Sequence, residues 1–299
     1  MSKFNKPYGL KKLSLKKILR WKFGLLFKNR VKDDSFKMEL CSINPQDLES
    51  RDDFIIWLGH ATFYIQIDGV KILTDPVFWD VPFFKRLIKM PIEPKFLKPD
   101  IILISHGHYD HFDIKSLKAL DIYRKQTKII LPLNLSKYLK KGANVVELDW
   151  DEEFSYKGIK VTAVAAAHWH RRKLFDFNKS LWCSFLIESK DKSIFFAGDS
   201  AFDRHFEEIA TKYKTDIALM PIGAYEPREI MQYNHMNPQE ATDAAKILKA
   251  KKMYPYHYAT FRLTEEPVGE PLEWINKLAK ATKELEIKAL KPGELEKEI

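Results

Sequence analysis

The amino-acid sequence predicts a layered α/β protein. Short apolar runs of the length of buried strands recur along the chain, and helical patterns lie between them. The runs cover residues 54–58, 62–67, 70–73, 101–104, 128–131, 161–165, 185–187, 194–196 and 217–220. Because strands that are apolar on both faces must be covered on both sides, their alternation with helices indicates a body of stacked sheets and helices.

Turn and cap residues place the boundaries of several elements. The dipeptide Asp68-Gly69 between two alternating runs is typical of a β-hairpin. Helices are expected where a capping residue precedes an amphipathic stretch. Such stretches are residues 114–123 after Asp113, a helix that begins at Asn237-Pro238 with Glu240 at its third position, and residues 271–285.

The net charge of +9 is concentrated at one end of the chain. Residues 1–32 hold eleven of the 50 lysines and arginines and none of the 41 acidic residues, which leaves 39 basic and 41 acidic residues elsewhere. A body so close to neutral argues against a basic groove for nucleic acid. We therefore expect residues 1–50 to form a basic amphipathic arm and residues 51–299 to form one folded domain.

The arm mixes its cations with apolar and aromatic side chains. Ile18, Leu19, Leu25 and Leu26 fall at roughly helical spacing, and lysines and arginines occupy other positions. Such a segment can lie in a membrane interface, where its cations attract anionic lipid. Its apolar face can equally pack on the body, with the cations at a solvated rim. The sequence leaves both interpretations open.

Cysteine content and hydropathy indicate the compartment. Two cysteines in 299 residues cannot form a disulfide framework. The sequence contains no run of eighteen apolar residues and no signal-peptide pattern. We therefore expect a cytoplasmic protein, which is peripherally associated with a membrane if residues 1–32 bind lipid. These patterns indicate no particular oligomeric state.

A run of metal-binding side chains follows one predicted strand directly. His106, His108, Asp110 and His111 lie within six residues immediately after the apolar run at 101–104 and Ser105. Packed together without a cation, these groups would lose hydration or repel one another. Neutral imidazole and carboxylate ligands suit zinc, and they also suit iron or manganese. Because the four side chains point in different directions, we expect two neighbouring ions to share the loop.

Further ligands are expected at the ends of other strands. His168, Asp199 and His257 each follow a short apolar run. Together with the loop they give seven ligands for two ions, which leaves coordination positions open. Open positions distinguish catalytic from structural sites, and the set contains no cysteine, which argues further against a structural zinc.

Nearby polar residues have expected supporting roles. We expect His60 to form hydrogen bonds that support a ligand. Asp75 either orients a metal-bound histidine or caps a turn. His170 and His205 lie among charged residues in the sequence, so we expect both to be solvated.

The pattern His-x-His-x-Asp-His, with His168, Asp199 and His257 further along, resembles the metal site of the metallo-β-lactamase superfamily. This resemblance implies an αββα sandwich with the metal site at one edge of the sheets. It also implies two Zn²⁺ ions. One would be held by His106, His108 and His168, and the other by Asp110, His111 and His257, with Asp199 bridging them.

A longer resemblance covers roughly residues 54–275. The segments 57–62, 73–76, 104–106, 196–199, 221–228 and 235–241 are similar to the N-acylphosphatidylethanolamine-hydrolysing phospholipase D family. The most distinctive is Pro221-Ile222-Gly223-Ala224-Tyr225-Glu226-Pro227-Arg228. Within it we expect Glu226 and Arg228 to form an ion pair that braces the loop.

This resemblance implies a phospholipid substrate, with N-acylphosphatidylethanolamine hydrolysed to N-acylethanolamine and phosphatidic acid. Two divalent ions would activate a water and offset the charge that develops on the phosphate. Asp110 or Asp199 would orient that water and manage its proton. The resemblance places His235 near the substrate, where it would contact the phosphate or help the leaving oxygen depart. Tyr109, within the metal loop, would contact substrate.

Other functions remain compatible with the same residues. A lactonase or a phosphodiesterase acting on a small soluble substrate would use an identical metal loop, since fold alone does not fix function. A non-enzymatic, membrane-docked binding protein would depend chiefly on the arm. The complete set of metal-binding residues argues against that last alternative.

Overall fold

The computed structural model describes residues 4, 6–8, 35–122, 126–297 and 299. Within them the chain forms two seven-stranded sheets flanked by helices, which confirms the predicted α/β sandwich. The first sheet runs, in spatial order, β14 (Leu295–Glu296), β1 (Phe54–Gly59), β2 (Thr62–Ile67), β3 (Val70–Thr74), β4 (Ile101–Leu103), β5 (Lys128–Pro132) and β6 (Val145–Leu148). The second runs β13 (Glu286–Ile287), β12 (Lys252–Tyr256), β11 (Ile217–Pro221), β10 (Ser193–Phe196), β9 (Ser184–Glu188), β8 (Ile159–Val164) and β7 (Glu153–Tyr156).

Five α-helices accompany the sheets in the described residues. They are α1 (Ile114–Ala119), α2 (His205–Lys212), α3 (Arg228–Met231), α4 (Pro238–Ile247) and α5 (Glu270–Ala281). Single 3₁₀ turns occur at Pro45–Glu49, Pro94–Phe96 and Ser136–Tyr138.

Successive residues of the central strands enter different apolar layers. Ile55 and Trp57 of β1 share one buried cluster with Phe185 of the second sheet, and this cluster extends to α4. Ile56, between them in sequence, belongs to a second cluster that includes Leu117 of α1. Because β1 and β4 are buried on both faces, they appear in the sequence as continuous apolar runs rather than as alternating ones.

The sheets converge on one edge that carries the polar residues. Strands β3 to β6 are mutually parallel, and so are β10 to β13. Ligand sites in such sheets lie beyond the carboxyl ends of parallel strands. The chain beyond β4, β10 and β12 carries His106, Asp199 and His257 respectively.

The early element boundaries follow the predicted turn and cap chemistry. The hairpin at Asp68-Gly69 is confirmed, with Ile67 opposite Val70. The Asp113 carboxylate accepts hydrogen bonds from two backbone N–H groups at the start of α1, as predicted. The helix nevertheless ends at Ala119, because Asp121 adopts a left-handed φ of 57°. Residue 123, its predicted end, lies outside the described residues.

The later helices are confirmed with one boundary error. Asn237 and Glu240 form a complete capping box at the start of α4. The last helix ends at Ala281 rather than 285, since the chain must turn back for β13 to pair with β12. The sequence did not predict β6, β7, β13, β14, α2 or α3.

Within residues 1–34 the structure describes only residues 4 and 6–8. Lys6 Nζ lies 2.6 Å from the Asp149 carboxylate, and the Tyr8 ring stacks on Trp150 at 5.7 Å between centroids. Residues 9–34, and with them the choice between membrane binding and packing, lie outside the described part of the chain. None of the helices in the described part is long and apolar enough to cross a bilayer.

Candidate metal centre and active site

The loop after β4 and three strand ends bring all seven predicted ligands together at the sheet edge. His106 and His111 are buried, whereas His108 and Asp110 are partly exposed and form the mouth of the site. The chain beyond β8, β10 and β12 supplies His168, Asp199 and His257, each of them buried. Their nitrogen and oxygen atoms form overlapping clusters in which the atoms lie within 4.8 Å of one another.

Three histidines form the first group. His106 Nε2 lies 2.9 Å from His108 Nδ1, and His168 Nε2 lies 3.2 Å from the same atom. The three ring nitrogens therefore face a common point, which is the arrangement that a single tetrahedral ion needs from three protein ligands.

Asp110, His111 and His257 form the second group. His111 Nε2 lies 3.3 Å from His257 Nε2 and 3.6 Å from Asp110 Oδ2. His257 Nε2 lies 3.9 Å from Asp110 Oδ2. This group mixes two imidazoles with a carboxylate, whereas the first group has imidazoles only.

Asp199 lies between the two groups. Its Oδ2 atom is 3.9 Å from both His106 Nε2 and His168 Nε2 in the first group, and 3.2 Å from His111 Nε2 in the second. Its Oδ1 atom is 3.1 Å from His257 Nε2. One carboxylate thus reaches both groups, as a bridging ligand must.

The hydrogen bonds behind the rings show that a cation fits this arrangement. His106 Nδ1 lies 2.9 Å from Ser105 Oγ, whose own hydrogen goes to Asp75, so the histidine nitrogen must donate. His168 Nδ1 likewise donates to the Asn234 carbonyl at 3.1 Å. The inward Nε2 atoms of His106 and His168 consequently carry lone pairs that point into the site, as metal-bound imidazoles must.

Electrostatics lead to the same conclusion. Burial lowers the pKa of His106 and His168, and lowers that of His108 to about 4, so these rings are neutral at pH 7 and competent as ligands. Burial opposes charge on His111 too, yet Asp199 and Asp110 together raise its pKa. The carboxylates therefore stabilise positive charge at His111 despite burial, and a bound divalent cation would supply that charge.

Two buried residues orient the ligands. The Asp75 carboxylate lies 2.7 Å from His111 Nδ1 and accepts the Ser105 hydroxyl at 2.5 Å, so it positions His111 directly and His106 through Ser105. Of the two roles considered for Asp75, orienting a histidine is confirmed. His60, whose pKa burial lowers to about 3, donates from Nε2 to Asp110 Oδ2 at 3.1 Å, which is the supporting contact expected of it.

Arg172 holds the metal loop from outside, a role that the sequence did not predict. Its guanidinium donates to the carbonyls of Gly107 at 3.1 Å and Phe112 at 2.7 Å, which lie near the two ends of the ligand run. It also lies over the Tyr109 ring at 4.2 Å. In sequence Arg172 stands in an Arg-Arg-Lys run that resembles any solvated cationic stretch, so no local pattern distinguishes it.

Replacing Arg172 with methionine is expected to lower the affinity for a divalent ion by about ten- to a hundredfold, the usual effect of losing an outer support of metal ligands. Competition with a chelator of known affinity measures the change. Arg171→Met, an exposed neighbour, is the matched control and should bind metal as the wild type does. Equal affinities for the two variants would contradict the clamping role.

Two histidines expected to be solvated are buried instead, and this expectation was wrong. A Cβ at Gly107 would clash with the ring of His170, which shows how closely this histidine packs under the metal loop. Burial lowers the pKa of His170 to about 3. His205 begins α2 with its ring against Phe206 at 4.0 Å, and its Nε2 lies 3.1 Å from Ser200 Oγ. The adjacent Arg171 and Arg204 are exposed, while these rings point inward.

The predicted Glu226–Arg228 ion pair is not formed, although both residues do brace the loop. Arg228 pairs with Glu240 of α4 at 2.5 Å and donates to the carbonyl of His235 at 3.1 Å. Glu226 accepts a hydrogen bond from the Arg228 backbone N–H at 2.9 Å. Arg228 begins α3 and its guanidinium reaches Glu240 of α4, while the Glu226 carboxylate is bonded to the Arg228 backbone instead.

The two predicted substrate residues differ in position. His235 is buried beside the ligands, with Nδ1 3.8 Å from Asp199 Oδ2 and its ring 5.4 Å from that of His168. Tyr109 is 43% exposed at the mouth, where its hydroxyl donates to the Arg172 carbonyl at 3.1 Å. His235 therefore reaches the interior of the site, while Tyr109 belongs to its rim.

Comparison with known proteins agrees with this geometry. Residues 70–258 match the family model of a beta-lactamase superfamily domain. The chain is 34% identical over 266 residues to N-acyl-phosphatidylethanolamine-hydrolyzing phospholipase D 1 of Caenorhabditis elegans, which covers 82% of this chain and 75% of the relative.

A yeast relative and a solved structure extend the comparison. The mitochondrial N-acyl-phosphatidylethanolamine-hydrolyzing phospholipase D of Saccharomyces cerevisiae is 37% identical to this chain over 240 residues. The match covers 75% of this chain and about half (51%) of the yeast protein. The structure of a metallo hydrolase from Ignicoccus hospitalis superposes with a TM-score of 0.62 at 22% identity, over 81% of this chain and 97% of that one. The solved structure shows the shared fold.

Proposed function

The chain belongs to the beta-lactamase superfamily and, within it, to the family of N-acyl-phosphatidylethanolamine-hydrolysing phospholipases D, and from this premise we propose that it hydrolyses a phospholipid phosphodiester. As a metal-dependent hydrolase of that superfamily it needs a metal site, an activated water and a contact to substrate. The proposed substrate is N-acylphosphatidylethanolamine, and the proposed products are N-acylethanolamine and phosphatidic acid.

The position of His235 carries the substrate proposal. The distinctive segment 221–228 packs against two site residues: a Cβ at Gly223 would clash with the His257 carbonyl, and Arg228 holds the His235 carbonyl. Burial lowers the pKa of His235 to about 4, so it is a neutral imidazole at pH 7. Such a ring can donate one hydrogen bond to a phosphate oxygen without adding a charge.

We assign the ligands to two ions by the groups described above. His106, His108 and His168 would hold one ion, and Asp110, His111 and His257 the other, with Asp199 shared. Bound divalent ions would supply an activated water near neutral pH and positive charge beside the phosphoryl oxygens. Zinc suits this set of nitrogen and oxygen donors.

The carboxylates and His235 carry the remaining steps. Asp110 is fixed by the His60 hydrogen bond at the mouth, where it can orient the attacking water and accept its proton; Asp199 offers the same function between the groups. The water oxygen forms a bond to phosphorus as the bond from phosphorus to the ethanolamine oxygen breaks. That oxygen leaves as N-acylethanolamine and takes up a proton, while His235 steadies the phosphate.

Product analysis tests the proposal. The purified, zinc-loaded chain is incubated in ¹⁸O-water with N-acylphosphatidylethanolamine, phosphatidylcholine, a lactone and a cyclic nucleotide, and products are identified by mass spectrometry. We expect phosphatidic acid and N-acylethanolamine from the first substrate, with ¹⁸O in phosphatidic acid because water attacks phosphorus. His235→Ala, which removes the phosphate contact, should lower this turnover.

The same panel separates the alternatives. Turnover of the lactone or of the cyclic nucleotide alone would contradict the lipid assignment and favour a lactonase or a soluble phosphodiesterase. No turnover of any substrate by a fully metal-loaded chain would favour the binding-protein interpretation. The roles of Tyr109 and of residues 1–32 in contacting lipid, and the expected cytoplasmic location, stay predictions.

A further inference from the structure

Two loops beside the site expose large apolar side chains to solvent. In the loop after β3, Phe83 is 100% exposed and Leu87 is 50% exposed. In the loop after β8, Leu174 is 69% and Phe175 is 81% exposed. Clustered exposure of this extent usually marks an interaction surface, because it gives the isolated protein no stability.

The backbone conformation at Phe83 also indicates an interaction surface. Val81 and Phe84 pair through two hydrogen bonds of 3.0 Å and hold Phe83 at the tip of a tight turn. Phe83 adopts a φ of 73°, in the left-handed region that is unfavourable for bulky residues. An aromatic residue in this conformation costs the isolated protein stability, and such costs are usually found at functional or interaction sites.

Contacts lead from the mouth of the site to the first loop. Asp110 at the mouth is bonded to His60, whose backbone N–H donates to Thr260 Oγ1 at 2.7 Å. The Thr260 carbonyl in turn accepts the backbone N–H of Leu87 at 2.8 Å. The loop that carries Phe83 and Leu87 is therefore connected to the mouth through His60 and Thr260.

Direct contacts also connect the mouth of the site to the loop that carries Leu174 and Phe175. Tyr109 at the mouth bonds and stacks with Arg172. Leu174 and Phe175 follow Arg172 directly, and the next residue, Asp176, anchors the loop by accepting the backbone N–H groups of Arg172 and Lys173 at 3.0 and 2.8 Å. Both loops are thus joined by direct contacts to residues at the mouth of the site.

The charge of the loops identifies the kind of partner. Residues 81–90 contain Lys85, Arg86 and Lys89 and no acid, and residues 169–175 contain three further cations and no acid. Within the described part of the chain, none of the exposed Lys85, Lys89, Arg171 and Lys173 forms an ion pair. Apolar tips surrounded by cations match a bilayer with anionic headgroups.

We propose that the tips at Phe83–Leu87 and Leu174–Phe175 insert into the surface of an anionic phospholipid bilayer and place the mouth of the site against it. The inference deepens the proposed function, on which its relevance to catalysis rests. It assigns membrane contact to the folded body, independently of residues 1–32.

Vesicle flotation with the full chain tests the docking surface. We compare the wild type with the triple variant Phe83→Asn, Leu174→Ser, Phe175→Ser; asparagine tolerates the left-handed φ. The wild type should float with phosphatidylglycerol-containing vesicles, and the triple variant should bind them about tenfold or more weakly, because the inserted apolar area is lost. Leu40→Ser, at another exposed apolar residue, should bind as the wild type does.

Charge-reversal variants and a salt series test the electrostatic contribution to vesicle binding. Lys85→Glu with Lys173→Glu should weaken binding to anionic vesicles, and raised salt should weaken wild-type binding in the same way. Lys190→Glu with Lys277→Glu reverses two other exposed lysines and should have little effect. The proposal would be overturned if the triple variant floated with vesicles as well as the wild type did, or if the wild type did not bind anionic vesicles.

Flotation needs no turnover, so the two proposals fail separately. A wild type that binds vesicles through these loops but releases no phosphatidic acid would overturn only the proposed function. A wild type that releases phosphatidic acid while the triple variant binds equally well would overturn only the docking surface. Equal melting temperatures of variant and wild type establish that the fold is retained.

Discussion

Replacing Asp199 with asparagine is expected to abolish hydrolysis while the chain still folds. The Asp199 carboxylate reaches both histidine groups, at 3.2 Å from His111 Nε2 and 3.1 Å from His257 Nε2. Asparagine has the same shape but no charge, so the shared ligand is lost and the positive charge of the site is left uncompensated. Losing one group that stabilises charge in a transition state costs about 3–4 kcal/mol, which corresponds to about 10²–10³-fold in rate.

The measurement is the turnover of a phosphodiester together with metal content per chain. Asp203→Asn is the matched control, because it makes the same change at an exposed aspartate four residues away and should leave both quantities unchanged. If Asp199→Asn keeps wild-type turnover and two ions, the carboxylate does not bridge them.

The sequence located the candidate ligands because each segment that carries them follows an apolar run. A strand buried on both faces is visible as a continuous apolar stretch, and its end fixes where the next polar side chain can lie. His106 after β4 and Asp199 after β10 were therefore located from local sequence alone. The αββα architecture and the pairing of ligands into two groups needed the family resemblance, since spacing does not report which strands are neighbours.

The residues that the sequence missed depend on tertiary contacts that leave no local pattern. Ser105 matters because it relays between Asp75 and His106, and no spacing rule links those residues. Arg172 and His170 stand in one cationic stretch, yet one clamps the metal loop and the other packs beneath it. Strand β12 was located only as the run before His257, because Pro255 interrupts its pattern, although parallel pairing with β11 continues through that residue.

Removing the metal is expected to abolish activity reversibly and to lower thermal stability. Without a cation, the Asp110 and Asp199 carboxylates depend on a proton held by His111, whose pKa they raise against the effect of burial. Ions bound to the folded chain alone stabilise it by mass action, about 4 kcal/mol when the free ion is at about a thousand times its Kd. For a domain of this size that corresponds to a change in Tm on the order of 10 °C.

Dialysis against a chelator, metal analysis and thermal unfolding measure these effects. We expect two zinc equivalents per loaded chain, loss of hydrolysis on dialysis, and recovery when Zn²⁺ is returned. Asp199→Asn should show a smaller rise in Tm with zinc than the wild type, because it lacks the carboxylate that both groups share. Full activity in metal-free protein would contradict the two-ion assignment. If zinc raises the Tm of Asp199→Asn as much as that of the wild type, both ions still bind and Asp199 does not bridge them. The two experiments together therefore separate metal binding from the role of Asp199.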